Sequence, residues 1–448
     1  MTRASRRNFM KSSMMAASGV IVAQAIPGPK ASQPSGAESP LRFGVNYEPR
    51  KNWWYCWQDW DAQSIAEDLQ AIRELGMDHV RIECLWPLIQ PGISYVSERV
   101  LDNMHSLLDA AARASLDVEI TVLTGWMSGI VFTPVWTAPC AQQNRNIFSA
   151  PTVIEAEKLL FKRLADTIGT HKRFLGFDLG NEVNVLLPRG NPATQQQADA
   201  WTSEMFRYVD SIAPGKFHVN GLDHSVWWSD IAFTRHNCAT AGQASIVHSY
   251  AHVEGSLERY GYSGVGTLHL VEYCVELAYA YQTDLARRVW VEEVGASPDW
   301  MPETYVAEYA RQVLGNAADT GVLWGITWWS SHDIDPSIKG FGRPQYTMGL
   351  LDQKNHVKPI GRIFAKLAED FRRNSFSSPQ RETAMVIPDT GLSPDQSSTD
   401  WTYGKAFMNL IGKGKKPCIV LESRARDEGY LRSRGVTELI SLSDAGRA

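Results

Sequence analysis

Gly44-Val45-Asn46-Tyr47-Glu48-Pro49 closes the first apolar run of the chain, and aromatic residues follow it: Trp53, Trp54, Tyr55, Trp57 and Trp60. A doubly wound nucleotide-binding sheet would place a glycine-rich phosphate loop at this point. None is there. Outward from this stretch, short β-like runs at 42–46, 79–85, 118–123, 173–179, 217–220, 246–249, 289–293 and 322–328 alternate with longer patterns. The latter, at 62–75, 100–115, 153–167, 193–212, 271–285 and 302–318, have helical spacing. Eight strands with intervening helices predict an α/β fold, a (β/α)8 TIM barrel spanning 41–371 with enlarged loops. Beyond a polar break at 372–380, the segment 381–448 is expected to form a small C-terminal α/β appendage. Its elements read as strands at 384–388 and 418–421, helices at 402–411 and near 425–433, and a last strand within 436–442.

With 44% apolar and 21% charged residues, the 448-residue chain has a globular composition. Lys plus Arg number 44 against 49 Asp plus Glu, a net of −5, which argues against a nucleic-acid partner held by a basic face. Arg3, Arg6, Arg7 and Lys11 stand without an acid ahead of the moderately apolar run 14–26. The paired arginines before a weak hydrophobic run resemble a bacterial twin-arginine export signal, with small residues at Ala23-Gln24-Ala25 for cleavage. A signal over 1–25, a Pro-rich linker over 26–40 and a periplasmic or secreted protein that engages export machinery are therefore expected. The alternative is a basic, frayed cytoplasmic terminus. The run is too short and too rich in Ala and Ser for stable membrane insertion. Six cysteines at 56, 84, 140, 238, 274 and 418 lack metal-ligand spacing, and Cys84 and Cys274 read as core thiols.

The unusual residues stand where barrel strands should end. Phe177-Asp178-Leu179-Gly180-Asn181-Glu182 puts a carboxylate beyond the fourth strand, and Val289-Trp290-Val291-Glu292-Glu293-Val294-Gly295 puts two at the seventh. A barrel brings both ends to one mouth, and two opposed carboxylates are what glycosidic cleavage needs. Helix caps or surface acids are the plainer reading. Adjacent strand residues point to opposite sides, so one of Glu292 and Glu293 faces the barrel centre. Glu293, nearer the mouth, is expected inside; Glu292 is expected in an outer salt bridge or helix contact. Arg81, a charge within the apolar second strand, requires a carboxylate partner, either a nucleophilic Glu or a structural ion pair. Asn181 has amide groups suited to a sugar hydroxyl. His248 and Tyr250 share a face of the sixth strand by period two, placing a hydroxyl and an imidazole near the acids. Fifteen of the 16 Trp precede the appendage, more than core packing requires, and flat rings suit pyranose faces. Trp53, Trp54 and Trp57, with Trp126 on the third loop, are expected to wall one end of a cleft.

This combination resembles glycoside hydrolase family 5 over roughly 41–371. The resemblance implies Asn181-Glu182 as the Asn and acid/base pair, Glu293 as nucleophile, Arg81 as the strand-two arginine, and His248 with Tyr250 as the strand-six His-x-Tyr pair. It assigns the substrate-stacking Trp to Trp328, or to Trp324 if the eighth strand ends earlier. Where many members have a histidine after the third strand, Thr124-Gly125-Trp126 stands here. Gly44 to Pro49, Trp324-Gly325-Ile326-Thr327-Trp328-Trp329 and the appendage resemble the family's exo-acting branch, which is similar to β-mannosidases acting on short β-1,4-linked mannosides. A β-linked oligosaccharide substrate, a retaining mechanism and no metal or organic cofactor follow from the resemblance. Endo-β-1,4-mannanase, β-glucanase or β-glucosidase, and a non-catalytic carbohydrate-binding protein are the alternatives.

Overall fold

A computed structural model describes residues 41–138, 143–373, 380–390 and 402–447. The expected signal and linker at 1–40, and Cys140, lie outside them. Seven parallel strands form one curled sheet, in the order Phe174–Asp178, Asp117–Thr124, His79–Leu85, Arg42–Asn46, Leu323–Trp328, Arg288–Val294 and Ala244–Ser249. The missing barrel position, fifth in chain order, belongs to the segment 217–220. This segment bonds to the fourth strand through Phe217 N to Leu175 O (2.8 Å), Val219 N to Phe177 O (2.9 Å) and Leu179 N to Val219 O (2.9 Å). On its other side, Gln243 closes the ring: its N–H reaches His218 O at 2.9 Å and its side-chain oxygen accepts from His218 N at 2.7 Å. A side chain in place of the ladder explains why the expected fifth strand is an extended segment rather than a regular one. The fold is a (β/α)8 barrel.

The helices begin where the sequence offers caps. Asp61 accepts from Ser64 N at the start of Ala62–Glu74, Thr194 and Gln197 form a reciprocal capping box before Gln195–Ile212, and Pro151 opens Pro151–Ile168. Helix Glu98–Ala114 buries Val100, Leu101, Met104, Leu107, Leu108 and Ala111 at helical spacing against the sheet. The second strand, His79–Leu85, is buried throughout, as a strand covered on both faces must be. Among the described residues, no helix is long and apolar enough to cross a membrane.

Near the amino end of the barrel, His79 Nε2 bonds Thr327 Oγ1 at 2.8 Å, and Trp290 Nε1 donates to the same hydroxyl at 2.7 Å. Gly44 makes room for this imidazole, since a Cβ there would sit 2.3 Å from His79 Nε2. Gly44→Ala is therefore expected to cost about 1–3 kcal/mol through overpacking. A melting temperature equal to wild type would refute that close approach.

The C-terminal elements form a parallel three-stranded sheet with Thr383–Ile387 between Pro417–Leu421 and Glu438–Ser441. Helices Thr402–Gly412, Glu428–Ser433 and Leu442–Arg447 accompany it, so the expected last strand turns helical at Leu442. Charged residues join this layer to barrel helix Leu270–Ala280: Arg381 Nη1 donates to Glu272 Oε1 at 2.6 Å and Arg434 Nη2 to Glu276 Oε2 at 2.9 Å.

Candidate active site

Five carboxyl groups and one guanidinium lie buried near the carboxyl ends of the strands. Arg81, with no exposed surface, donates from Nη1 to Glu293 Oε1 (2.7 Å) and from Nη2 to Asp178 Oδ2 (2.9 Å) and Asn181 Oδ1 (2.8 Å). Glu83 is 3.4 Å from Nη1, and Glu292 and Glu119 stand 3.5 and 3.8 Å from Nε. One cation cannot neutralise five anions in a dry interior, so some of these groups hold protons. Burial, followed by the charge of Glu292, pushes Asp178 up to about 6 despite its Arg81 contact. Burial pushes Glu119 and Glu83 well above the usual carboxylate range. Glu48, from the stretch after the first strand, is likewise raised by burial and then by Glu293.

Glu292 corrects the alternation expected for the seventh strand: it faces inward, wholly buried, alongside Glu293. The strand pairs Val247 with Val291 but His248 with Glu293, leaving Glu292 as an extra residue. Its other neighbour shows the same shift, pairing Ile326 with Val291 and Trp328 with Val294. Such a bulge cancels strict alternation and lets consecutive side chains point into the barrel. Asn46 fixes this end of the strand, donating to Glu292 O at 3.1 Å while accepting from Arg81 Nη1 at 3.0 Å.

Glu182 has a left-handed backbone (φ 46°), a conformation that favours glycine, and its N–H is held by Gly221 O at 2.6 Å. Its carboxyl reaches His248 Nδ1 at 3.0 Å and exposes 17% of the side chain. Burial raises its pKa above that of an ordinary Glu; the His248 hydrogen bond opposes this and the charge of Glu293 adds to it. Tyr250 donates its hydroxyl to Glu293 Oε2 at 2.8 Å, so Glu293 receives a donor on each oxygen. Burial and then Glu293 keep that phenol protonated by raising it well above its usual value. Oxygens of Glu182 and Glu293 and a nitrogen of His248 lie within 4.8 Å of one another. The guanidinium and phenol on Glu293 suit a free carboxylate rather than a metal ligand.

Glu182, Glu293, Asn181 and Tyr250 line a cavity of about 460 Å³ together with Trp126, Trp300 and Trp329. Asn181 spends part of its amide on the protein, accepting from Arg81 and donating to Trp126 O at 2.8 Å, which leaves one N–H and one lone pair for a ligand. Trp126 stands on a short hairpin, Trp126–Met127 with Ile130–Val131, whose two-residue turn Ser128-Gly129 has both φ values positive. The Arg189 guanidinium lies 4.2 Å from its ring centre.

Several of the tryptophans expected at the sugar do not line the cavity. Trp328 is fully buried, packs on Phe364 and donates to Met348 O at 2.9 Å, turned away from the cavity that Trp329 lines. Trp324 is at the other end of that strand, beside Phe217, His79 and Trp290. Trp54 is 2% exposed, stacked on Trp53 at 4.1 Å and edged by Phe132 and Phe341. It joins the first, third and eighth loops instead of lining the cavity. Trp57 is spent on Glu83 O at 3.0 Å. Sequence reasoning missed Trp300, Asp223, His224 and His252, all loop residues with no periodic signal. Trp329 takes the place expected of Trp328 because Thr327 faces His79 inside the barrel and period two puts Trp329 on that same face.

No family model matches the sequence. Among solved structures, the GH5_18 enzyme from Streptomyces cattleya in complex with GlcNAc is 33% identical, with a TM-score of 0.86 over 91% of this chain and 99% of that one. A GH5_18 Glu-to-Ala variant from Bifidobacterium longum subsp. longum, in complex with Manβ1-4GlcNAc, is 31% identical, with a TM-score of 0.81 over 90% of this chain and 96% of that one. An exo-β-1,4-mannosidase from Opitutaceae bacterium strain TAV5 shares the fold at 23% identity, with a TM-score of 0.72 over 85% of this chain and 70% of that one. The chain is a retaining glycosidase and belongs to glycoside hydrolase family 5, among the GH5_18 enzymes.

Proposed function

We propose that this glycosidase is an exo-acting β-mannosidase that releases terminal mannose from short β-1,4-linked mannosides, with Glu293 as nucleophile and Glu182 as acid/base. The observation that carries this mechanism is the approach of the two carboxyl groups, oxygen to oxygen within 4.8 Å, across the floor of one cavity. So close an approach of their nearest oxygens favours a retaining pair, whose carboxyl groups stand ~5–5.5 Å apart, over an inverting pair, which needs ~6.5–9.5 Å to admit water. In the first step a Glu293 oxygen bonds the anomeric carbon as the bond to the leaving sugar breaks, and the Glu182 proton goes to the departing oxygen. In the second, Glu182 takes a proton from water, the water oxygen bonds the anomeric carbon and Glu293 is released.

Mannose specificity is supported by the Manβ1-4GlcNAc bound to the Bifidobacterium neighbour. Exo action is supported by the aromatic cluster of Trp53, Trp54, Phe132 and Phe341, which ties together loops whose neighbouring residues, Trp126 and Gly342, line the cavity. Trp126, Trp300 and Trp329 offer flat rings for pyranose faces.

Proton NMR of the first product before mutarotation is expected to show β-mannose, since two displacements each invert the anomeric centre. Initial α product would reject the mechanism. With reducing-end-labelled mannohexaose, free mannose and a label-bearing chain one sugar shorter are expected at the earliest times. Early internal fragments with a rapid fall in mannan viscosity would instead identify an endo-β-1,4-mannanase.

A further inference from the structure

The seventh strand carries a carboxyl group that the double displacement leaves unused. Glu292 Oε2 lies 3.0 Å from His248 Nε2, and Nδ1 of the same ring lies 3.0 Å from Glu182 Oε1. The imidazole thus spans two carboxyl groups, one at the cleft and one buried behind it. The bulge at Glu292 creates this bridge, because regular alternation would have pointed the side chain away from His248. Behind Glu292, oxygens of Glu119 and Asp178 come within 4.8 Å of one of its own. Gly221 leaves the necessary room, since a Cβ there would stand 2.6 Å from Asp178 Oδ2 and 2.8 Å from Glu292 Oε2.

We propose that Glu292 is a positioning residue for the acid/base: it fixes a proton on His248 Nε2, so that Nδ1 faces Glu182 and the Glu182–His248 pair shares one further proton. This rests on the reading of Glu182 as acid/base. Before glycosylation the shared proton lies between Nδ1 and Oε1. When the pair gives it to the leaving oxygen, Glu182 remains as a carboxylate facing the Nδ1 lone pair, a repulsive arrangement that favours taking a proton from water in the second step. That proton restores the pair, so the cycle balances with no other donor.

The remaining charged groups around the ring act in both directions, with the acids prevailing. Glu293 Oε1 lies 3.6 Å from Nδ1, and Arg81 touches the bridge only through Glu292 and Glu293. His224, on the loop after the fifth segment, opposes a second positive ring but is itself paired with Asp223 at 3.1 Å. Burial works against an imidazolium; the charge of Glu293 and the bonds to Glu182 and Glu292 outweigh it and hold His248 well above the ordinary imidazole range.

The test compares pH profiles of kcat/KM for wild type and Glu292→Gln on two aryl β-mannosides, one with a poor leaving group and one with a dinitrophenyl group. Removing the carboxylate weakens proton retention by the pair, so the basic limb for the poor leaving group is expected to move about one unit to lower pH. Turnover of the dinitrophenyl substrate at its glycosylation step should change little, with KM preserved for both. An unshifted basic limb in folded Glu292→Gln overturns the inference, because a merely structural role lowers activity without moving the limb. A measurement on the wild-type enzyme covers a variant that does not fold. In 15N-histidine NMR, the ring assigned through its loss in His248→Asn should keep Nε2 protonated across the active pH range. A bare Nε2 there overturns the inference too. The parent reading fails separately: if Glu182→Ala shows no dependence on the leaving group, Glu182 is not the acid/base whatever Glu292 does.

Discussion

Glu293→Gln is expected to lose roughly 10⁴-fold or more in turnover while remaining folded and able to bind substrate. The amide has the shape of the carboxyl group but no oxygen able to form and later release a glycosyl ester. Its carbonyl can still accept from Arg81 Nη1, now at 2.7 Å from Oε1, and its NH2 can donate to the Tyr250 hydroxyl, which reaches Oε2 at 2.8 Å. The local fold therefore keeps its hydrogen bonds, and Arg81 keeps Asp178 as a partner. Glu292→Gln makes the matched comparison, one residue away and equally buried, and should lose far less because the attacking oxygen survives. Circular dichroism and substrate-induced tryptophan fluorescence would establish folding and binding for both variants. Wild-type turnover in folded Glu293→Gln would remove Glu293 from the mechanism.

The floor of the candidate site was legible in the sequence because it depends on residue type and strand position. Arg81 is a charge in an otherwise apolar strand, and Asn181-Glu182, His248-x-Tyr250 and Glu293 all follow or end strands, where a barrel must bring side chains together. They do meet there: Arg81 Nη1 lies 2.7 Å from Glu293 Oε1, and His248 Nδ1 lies 3.0 Å from Glu182 Oε1. What the sequence concealed is pairing. A bulge is a property of two strands at once, and nothing in Trp290-Val291-Glu292-Glu293 alone shows that its neighbours skip a residue there. The tryptophans failed for a different reason. Trp54 and Trp328 have the right chemistry for a sugar, but an indole is also the largest core side chain, and only tertiary contacts decide between the two uses. The fifth strand became an extended segment because the Gln243 side chain supplies part of the ladder, a substitution that strand propensity does not register.

Glu182→Ala should separate the two chemical steps by leaving group. The leaving sugar of a natural disaccharide would depart as a poorly stabilised alkoxide and needs a proton as the bond breaks, so kcat/KM for that substrate is expected to fall about 10²–10⁴-fold. A dinitrophenolate leaves unaided, so glycosylation of Glu293 by that substrate should continue nearly as before. The second step then lacks its base, and the mannosyl-enzyme accumulates: a burst of phenol followed by a slow steady state, with a low apparent KM. Azide needs no deprotonation and can occupy the space that Glu182 vacates in the cavity, beside the buried His248. It should accelerate the steady state by forming a bond to the anomeric carbon as Glu293 departs, giving β-mannosyl azide as the product of a second inversion. The pH profile provides an independent mark. The raised proton affinity of Glu182 places the basic limb of wild-type kcat/KM for a poor leaving group above the ordinary Glu range, and deleting the side chain should abolish that limb while leaving the acid limb in place. Equal losses on both leaving groups, without a burst and without azide rescue in a folded variant, would show that Glu182 positions substrate and that the proton comes from elsewhere.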